Sequence, residues 1–246
     1  MIKIDKNNIK LIPRIIFQDQ VLLALEKPAG IHVFSNRNDT KYSVCDWLLE
    51  SFPKLASVGD SSAPAILHRL DRLTSGLLLV AKNNDTYQKL RDAFSKGMVK
   101  KKYLVLVHGN VKEDLDIQVE LGSKYRRSKK LYPVIKGGKY HSVQKANSLI
   151  FPIEYSLGFT LCRVEMVTGV RHQIRAHMAY VGHPVVGDGL YGKEKRLTCL
   201  KNRFFLHAFE AQFYHPISKE LTILTCPLSF DLVLCLQELG MKPFLD

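Results

Sequence analysis

The chain has 246 residues, 46% of them hydrophobic and 24% charged, as in an ordinary globular protein. No run of about 18 apolar residues occurs and the first residues hold no apolar signal segment, so we predict no membrane span and no export, and expect a cytoplasmic protein. The formal net charge of +13 favours a polyanionic partner, nucleic acid above all.

The hydrophobic pattern predicts strands and helices in irregular succession. Strands are predicted at 21–25, 76–81, 102–107, 161–167, 204–214 and 221–225, and helices at 43–52, 85–97, 171–181 and 229–239. The helix at 85–97 is expected to begin at a cap on Asp85, with Gln88 completing a capping box, and to end at Gly97. Trp47, the only tryptophan, is expected in the core. Because strands and helices do not alternate strictly, the pattern favours an α+β fold.

No long linker or internal repeat divides the chain, so we predict one domain over residues 1–246. The positive charge is concentrated in two groups, and the last forty residues are slightly acidic. The first group comprises Lys100, Lys101, Lys102, Lys124, Arg126, Arg127, Lys129, Lys130, Lys136, Lys139 and Lys145, and the second Lys193, Lys195, Arg196, Lys201 and Arg203. Such clustering indicates a binding face, on which 124–139 is predicted to form a loop or hairpin arm.

The cysteine and histidine spacings do not predict a metal site. The five cysteines are an odd number at irregular spacings, with no Cys-x-x-Cys pair, and the nine histidines form no His-Glu-x-x-His. Cys162 and Cys235 lie in apolar runs and are interpreted as core residues. These spacings leave a metal site open, but nothing in them calls for one.

Residues 68–82 read His-Arg-Leu-Asp-Arg-Leu-Thr-Ser-Gly-Leu-Leu-Leu-Val-Ala-Lys and contain a single acid, Asp71, flanked by Arg69 and Arg72. Neighbouring positive charges keep a carboxylate ionised, and an ionised, positioned aspartate can act as a base or a nucleophile. An ordinary surface ion pair on a turn is the alternative, which this segment alone leaves open.

A second polar segment follows Thr168 and Gly169, where a strand is predicted to lead into a helix. The start of a helix favours anions. Arg171 and Arg175 are four residues apart and are expected to share one face, where both could serve one acidic partner, either Asp71 or a phosphate or both. A solvated basic helix face is the alternative.

Residues 68–78 resemble the His-Arg-Leu-Asp-x-x-Thr-Ser-Gly signature of the RluA-type pseudouridine synthases. The other motifs of that family have counterparts here in the same order, at 27–30, 102–109, 168–177, 182–188 and 206–216. The resemblance spans about residues 20–216. It implies a single α+β catalytic domain, an extended mixed and largely antiparallel sheet flanked by helices, with the active site in a central basic cleft.

The resemblance also implies a reaction, the isomerisation of uridine to pseudouridine within RNA, without metal or cofactor. Asp71 falls on the family's catalytic aspartate, and Arg175 on the arginine that pairs with it. Tyr103 falls on the tyrosine that packs on the uracil and is proposed to help remove the C5 proton. Leu206 falls on an apolar residue that closes the pocket, and Arg69 on a residue thought to assist flipping. The remaining predicted substrate-binding residues are His68, Arg171, His172, Gln173, Lys129 and Lys130.

The chain differs from the family motif at Val170, where an arginine is common. We expect Arg171 to supply part of the missing charge. Given the short segment before residue 27, we expect no separate N-terminal RNA-binding domain of the kind that the family often carries. Target selection is then expected to depend on the catalytic domain and on the arm at 124–139. The partner is expected to be a loop of ribosomal or transfer RNA, bound by a monomer with no obligatory protein partner.

Two other functions are compatible with parts of the pattern. A catalytically silent RNA-binding or ribosome-assembly protein would keep the basic face, but it has no need for Asp71, Tyr103 and Arg175 together. A hydrolase or nuclease could use Asp71 with His68 or His172. The latter is disfavoured because the sequence holds no second carboxylate cluster for the metal pair that such enzymes often use.

Overall fold

One nine-stranded sheet runs through the molecule. The structure is a computed structural model that describes residues 11–34, 42–192, 197–200 and 202–242. The helices are α1 (Val44–Ser51), α2 (Asn84–Ser95), α3 (Gln173–Tyr180) and α4 (Phe230–Glu238). The strands are β1 (Arg14–Gln18), β2 (Leu22–Lys27), β3 (Ser75–Ala81), β4 (Lys100–His108), β5 (Leu115–Ile117), β6 (Leu121–Ser123), β7 (Tyr132–Pro133), β8 (His141–Gln144), β9 (Ser148–Ser156), β10 (Phe159–Met166), β11 (Leu206–Tyr214) and β12 (Leu221–Thr225).

The order of the large sheet is β1-β2-β3-β11-β4-β10-β9-β5, with β12 paired to β11. Among these strands only β3 and β11 are parallel neighbours, and every other pair is antiparallel. The expected mixed, largely antiparallel sheet of an α+β fold is therefore confirmed. All seven residues of β3 are buried, as expected for a central strand covered on both faces.

Gly76 makes the parallel contact between β3 and β11 possible. It pairs with Ala208 and has φ +113°, which side chains of L-residues rarely adopt. A Cβ added there would lie 2.2 Å from the carbonyl oxygen of Ala208. This glycine of the 68–76 segment therefore joins the turn that carries Asp71 to the strand that carries Leu206.

A buried hydrogen-bond chain supports the same junction. Burial lowers the pKa of His207 to about 4, so the ring is neutral. Its Nε2–H donates to the Cys226 carbonyl (2.9 Å), and its Nδ1 therefore accepts from the Ser75 hydroxyl (2.8 Å). Arg203 Nη2 in turn donates to Ser75 Oγ (2.7 Å). Three elements distant in sequence are thus fixed beside the Asp71 turn.

The predicted strands and helices are confirmed in kind, with two corrections at helix starts. Helix α2 is capped by Asn83, whose Oδ1 accepts from the Thr86 N–H (2.9 Å), so the predicted cap at Asp85 is wrong. Helix α3 begins at Gln173 and not at Arg171, because His172 takes a left-handed conformation (φ 56°). Trp47 is only partly buried and packs at the edge of the core.

A small three-stranded sheet, ordered β7-β6-β8, lies beside α3. Strands β6 and β7 pair antiparallel, so 124–131 is the connection of a hairpin. The predicted hairpin arm is confirmed. Four of the five residues in the second basic group, namely Lys193, Lys195, Arg196 and Lys201, lie outside the described residues.

The apolar side chains form one large cluster around the big sheet, with Ile174 and Met178 of α3 packed into it. Cys162 belongs to this cluster and Cys235 to a second one that includes the buried side chains of α4, so both predicted core cysteines are confirmed. Within the described residues, no helix is long and apolar enough to cross a lipid bilayer.

Candidate active site

A cavity of about 550 Å³ opens between the Asp71 turn, strand β4 and the start of α3. It brings together most of the residues predicted from sequence. Those that line it are His68, Arg69, Asp71, Tyr103, Arg171, His172, Gln173, Arg175 and Leu206. Lys129 and Lys130 do not line it.

Asp71 pairs with Arg175 across the cavity wall. The Arg175 Nη1 lies 2.9 Å from Asp71 Oδ2, and the two residues are 104 positions apart in sequence. Asp71 keeps 17% of its side chain exposed toward the cavity. Neither Arg69 nor Arg72 forms an ion pair with Asp71 in the part of the chain that is described, so the surface-pair interpretation of this segment is excluded.

Arg175 is held from its other side by Asp188, a residue that the sequence reasoning did not select. Its Nε and Nη2 donate to the two carboxylate oxygens of Asp188 at 2.6 and 2.8 Å. The guanidinium also packs on the rings of Phe204 and Tyr191, at 4.4 and 5.1 Å from their centroids. Burial disfavours its charge, but the carboxylates of Asp188 and Asp71 raise the pKa of Arg175 above its ordinary value. The group that faces Asp71 is thus a fixed, permanent cation.

Asp188 is itself held by the backbone. Its Oδ1 accepts from the N–H groups of Leu190 (3.0 Å) and Tyr191 (3.3 Å). The Gly187-Asp188 pair lies within the family resemblance, but no spacing rule relates it to Arg175, since the contact depends on how the 182–188 turn folds back.

Arg69 and Arg72 differ in their surroundings. Arg69 is exposed at the cavity and makes no hydrogen bond or ion pair with another described residue, as suits a side chain that meets a ligand. Arg72 contributes its carbonyl oxygen, which accepts from the Gly30 N–H (2.7 Å) and from Lys27 Nζ (3.2 Å). The backbone beside Asp71 is therefore anchored on the 27–30 turn.

Lys27 is fully buried beneath this turn. Its Nζ also donates to the carbonyls of Pro28 and Ile31, both at 2.9 Å. Burial, helped by the charges of Arg203 and Arg72 and opposed by Asp71, lowers the pKa of Lys27 to about 7. With three carbonyl acceptors, this lysine fixes the main chain and does not face the cavity.

Tyr103 and Leu206 form apolar walls of the cavity. Both are buried, and they lie on neighbouring strands, where Tyr103 pairs with Ala208 and Leu206 with Val105. Burial and the nearby Asp71 raise the pKa of Tyr103, which is therefore a neutral phenol.

His172 and Arg171 occupy the irregular turn before α3. Burial, together with the charges of Arg175 and Arg171, lowers the pKa of His172 to about 4 against the opposing effect of Asp71. Its Nε2 lies 3.7 Å from Asp71 Oδ2, so at neutral pH this contact is not an ion pair. Arg171 donates from Nη2 to the carbonyl of Ser128 in the arm (2.7 Å) and forms no ion pair with Asp71 in the described part of the chain. Because the helix starts two residues later, Arg171 does not share Asp71 with Arg175, whereas a phosphate shared by the two arginines stays a prediction.

Gln173 organises the turn from within. Its Nε2 donates to Asn147 O (2.8 Å) and Ser148 Oγ (2.9 Å). Its Oε1 accepts from Thr168 Oγ1 (2.7 Å) and Val170 N (3.0 Å). All four hydrogen-bonding positions of the amide are occupied, so Gln173 shapes the cavity wall and has no donor or acceptor left for RNA.

The arm is docked beside the cavity by Tyr191. The Tyr191 hydroxyl accepts from the Leu131 N–H (2.9 Å) and lies 3.2 Å from His172 Nδ1. Lys130 Nζ lies 4.9 Å from the centroid of the Tyr191 ring and 5.4 Å from that of the Tyr132 ring, while Lys129 is exposed. Val170, which stands where the family motif commonly has arginine, packs into the small apolar cluster under this arm. Neighbouring Arg171 donates to the arm and also lines the cavity, so its role in supplying part of the missing charge stays a prediction.

The described residues contain no group of three or more His, Cys, Asp and Glu side chains that could hold a metal ion. Asp71 is the only acid among the described residues that line the cavity, against five Arg and Lys side chains. This electropositive lining suits an anionic ligand.

A turn with one aspartate, an arginine clamp and an apolar wall thus meet in one cavity on the mixed sheet. The sequence pattern of the RNA pseudouridylate synthase family matches residues 21–180. The chain belongs to this family of isomerases.

Individual relatives agree with this assignment. The chain is 34% identical over 212 residues to an uncharacterized RNA pseudouridine synthase of Aquifex aeolicus, covering 84% of this chain and 66% of that protein. It is 31% identical to ribosomal large subunit pseudouridine synthase C of Haemophilus ducreyi, covering 92% of this chain and 68% of that protein. The chain thus spans about two thirds of the length of these relatives. The solved structure of human RNA pseudouridylate synthase domain containing 1 shares the fold, with a TM-score of 0.70 at 23% identity, covering 95% of this chain and 97% of that one.

Proposed function

We propose that this protein converts a uridine of large-subunit ribosomal RNA to pseudouridine, with Asp71 as its catalytic carboxylate. The observation that carries the proposal is the Asp71–Arg175 pair at 2.9 Å in a cavity walled by Tyr103 and Leu206. The choice of ribosomal over transfer RNA rests on the Haemophilus relative, whose name specifies the large ribosomal subunit.

The reaction breaks the C1′–N1 glycosidic bond, turns the uracil and forms a C1′–C5 bond. The proton on C5 leaves and N1 gains one, so all atoms of the uridine are conserved and no redox partner is needed. Arg175, fixed by Asp188, keeps the Asp71 carboxylate oriented toward the base and ribose. Asp71 attacks or assists at the target nucleotide.

A base inside a folded RNA must leave its stack before it reaches such a cavity, at a cost of roughly a few kcal/mol. Tyr103 and Leu206 offset this cost by packing against the flipped uracil. Since Tyr103 is a neutral phenol, we assign it to packing and hydrogen bonding, and not to accepting the C5 proton as a phenolate. We assign Arg69, which is exposed at the cavity, to filling the space that the flipped base leaves.

The arm at 124–139 supplies phosphate contacts outside the cavity. Lys129 and Lys130 lie on it, and Arg171 and Tyr191 fix it beside the catalytic turn. RNA loops and bulges, whose bases are free to splay out, fit this combination of a cavity and a flanking basic arm. We place the activity in the cytoplasm, with the protein acting as a monomer.

Mapping of pseudouridines in total RNA from cells with and without the gene tests the function. The proposal expects at least one site in large-subunit ribosomal RNA to be lost on deletion and restored by a plasmid copy. An unchanged pseudouridine map would overturn it. Loss of a site only in transfer RNA would keep the chemistry and correct the substrate.

A further inference from the structure

The cavity continues beyond the space that a uracil needs at Asp71. Its volume of about 550 Å³ lies in the range that holds a drug-sized ligand, far larger than a single pyrimidine. The cavity lining includes Arg91, Phe94, Lys101 and the 166–169 segment, and the His68 ring stacks on that of Phe94 with centroids 5.0 Å apart. We call this region the outer lobe.

Lys101 enters the outer lobe because side chains alternate along a strand. It stands two residues before Tyr103 on β4, so both side chains lie on one face, while Lys102 points to the other face and pairs with Glu210 at 2.7 Å. A Cβ added to Gly169 would lie 3.5 Å from Lys101 Nζ, which places the ammonium group against the 168–169 turn.

The charge of Lys101 is poorly compensated within the protein. Its Nζ has a long contact of 3.5 Å with the Thr168 carbonyl and lies 5.9 Å from the Phe94 ring centroid. No carboxylate of the described residues lies within ion-pair distance of it. Burial lowers the pKa of Lys101, as expected for a cation removed from water without a counter-ion.

Two further donors face the same lobe. His68 Nε2 accepts from the Leu79 N–H (3.0 Å), and burial with the charges of Lys101 and Arg91 lowers the pKa of His68 to about 3. The neutral ring must then carry its proton on Nδ1. Arg91 donates from Nη1 to the Leu67 carbonyl (2.9 Å), and its other nitrogens have no hydrogen-bond partner among the described residues.

We propose that the outer lobe binds a phosphodiester group of the RNA, with Lys101 as the principal ligand and His68 and Arg91 as flanking donors. This inference rests on the proposed function, since a uridine held at Asp71 carries a phosphate on each side of its ribose. A compact ammonium group suits a single phosphate as a point charge. The lobe thereby fixes the backbone of the flipped nucleotide, and Lys101 is a binding residue distinct from the arm.

The test uses a fluorescein-labelled RNA dodecamer of adenosines with one central uridine. It is prepared with ordinary linkages and with a neutral methylphosphonate on the 5′ or the 3′ side of that uridine. Dissociation constants are measured by fluorescence anisotropy for the wild type, Lys101→Met, Lys101→Arg and Lys100→Met across a salt series. Lys100 is exposed on the same strand and does not line the cavity, so its variant controls for the loss of one positive charge.

Lys101→Met is expected to weaken binding about tenfold, in line with the loss of one charge-assisted hydrogen bond. It should also lower the slope of log affinity against log salt by about 0.7. One of the two methylphosphonates should weaken binding to the wild type and to Lys100→Met but have no further effect on Lys101→Met, and Lys101→Arg should restore most of the affinity.

The inference is overturned if Lys101→Met behaves like Lys100→Met, or if it remains as sensitive to both methylphosphonates as the wild type. This outcome is separate from a failure of the proposed function. The pseudouridine map of the deletion strain tests only the proposed function. The dodecamer experiment tests only RNA binding at Lys101 and does not depend on pseudouridine formation.

Discussion

Asp188 holds Arg175 with two hydrogen bonds, at 2.6 and 2.8 Å, and thereby fixes the guanidinium nitrogen that reaches Asp71. A guanidinium has a planar fork, so occupation of Nε and Nη2 by one carboxylate leaves Nη1 directed to a single place. Asp188 is therefore a positioning residue for Asp71 although it does not touch the substrate.

Asp188→Asn should lower the turnover number about 100-fold while changing KM little, because a small displacement of a catalytic group costs that much. Glu210→Gln is the matched control, since Glu210 also pairs with a cation, Lys102, at 2.7 Å, and neither residue lines the catalytic cavity. Single-turnover kinetics of both variants check this. Equal losses in the two would show that the effect is one of stability and not of positioning.

Gly76→Ala should destabilise the fold by more than about 4 kcal/mol, because the new Cβ meets the backbone of Ala208 and the φ of +113° is strained for alanine. Gly158→Ala serves as the control. It has φ +87° with no atom within 4 Å of the added Cβ, so only conformational strain of about 1–2 kcal/mol is expected. Urea unfolding gives both values, and similar losses would refute the steric argument.

Acid should destabilise the protein through His207. The pKa of this buried ring is lowered to about 4 from an ordinary value near 6.5, so the unfolded chain binds a proton that the folded protein does not. The contribution of the neutral His207 ring to the free energy of unfolding is complete above pH 6.5. It is lost as the pH falls to about 4, and the free energy of unfolding falls by up to about 1.4 kcal/mol per pH unit.

His207→Gln retains a donor for the Cys226 carbonyl and should make this pH dependence shallower by about one proton. His141→Gln, at an exposed position, should not change it. Urea unfolding at several values between pH 4.5 and 7 measures the slopes. Identical slopes for His207→Gln and the wild type would contradict the assignment.

Neutralising both arm lysines, Lys129→Ala with Lys130→Ala, should weaken RNA binding and lower its salt slope, by about 0.7 for each phosphate that the arm no longer neutralises. The turnover number at saturating RNA should change little, since neither residue lines the cavity. Lys54→Ala with Lys112→Ala removes the same charge from exposed positions elsewhere. A salt slope equal to that of this control would remove the arm from the RNA-binding face.

Sequence reasoning located Asp71, Tyr103, Arg175 and Leu206 because each lies in a short motif with a recognisable pattern. It predicted a central strand at 76–81 because six successive small or apolar residues suit a strand covered on both faces, and β3 spans Ser75–Ala81. These features are local, and a local pattern can be recognised in the sequence without knowledge of tertiary contacts.

Contacts between distant segments were harder to predict. The pairing of Asp188 with Arg175 depends on a turn that folds back on α3, and no periodicity encodes it. The left-handed His172 delays the start of α3 by two residues and turns Arg171 toward Ser128. The predicted cap at Asp85 is wrong because Asn83, two residues earlier, offers its side chain to the same helix.

Measuring the amount of pseudouridine that the Asp71→Asn variant forms tests the proposed chemistry most directly. Large-subunit ribosomal RNA from the deletion strain is incubated with wild type or variant, and RNA affinity is measured in parallel. Asparagine keeps the shape of the side chain but removes its charge, so we expect no detectable pseudouridine at the target site and an affinity within about twofold of wild type. Full activity of Asp71→Asn would contradict the role of this carboxylate.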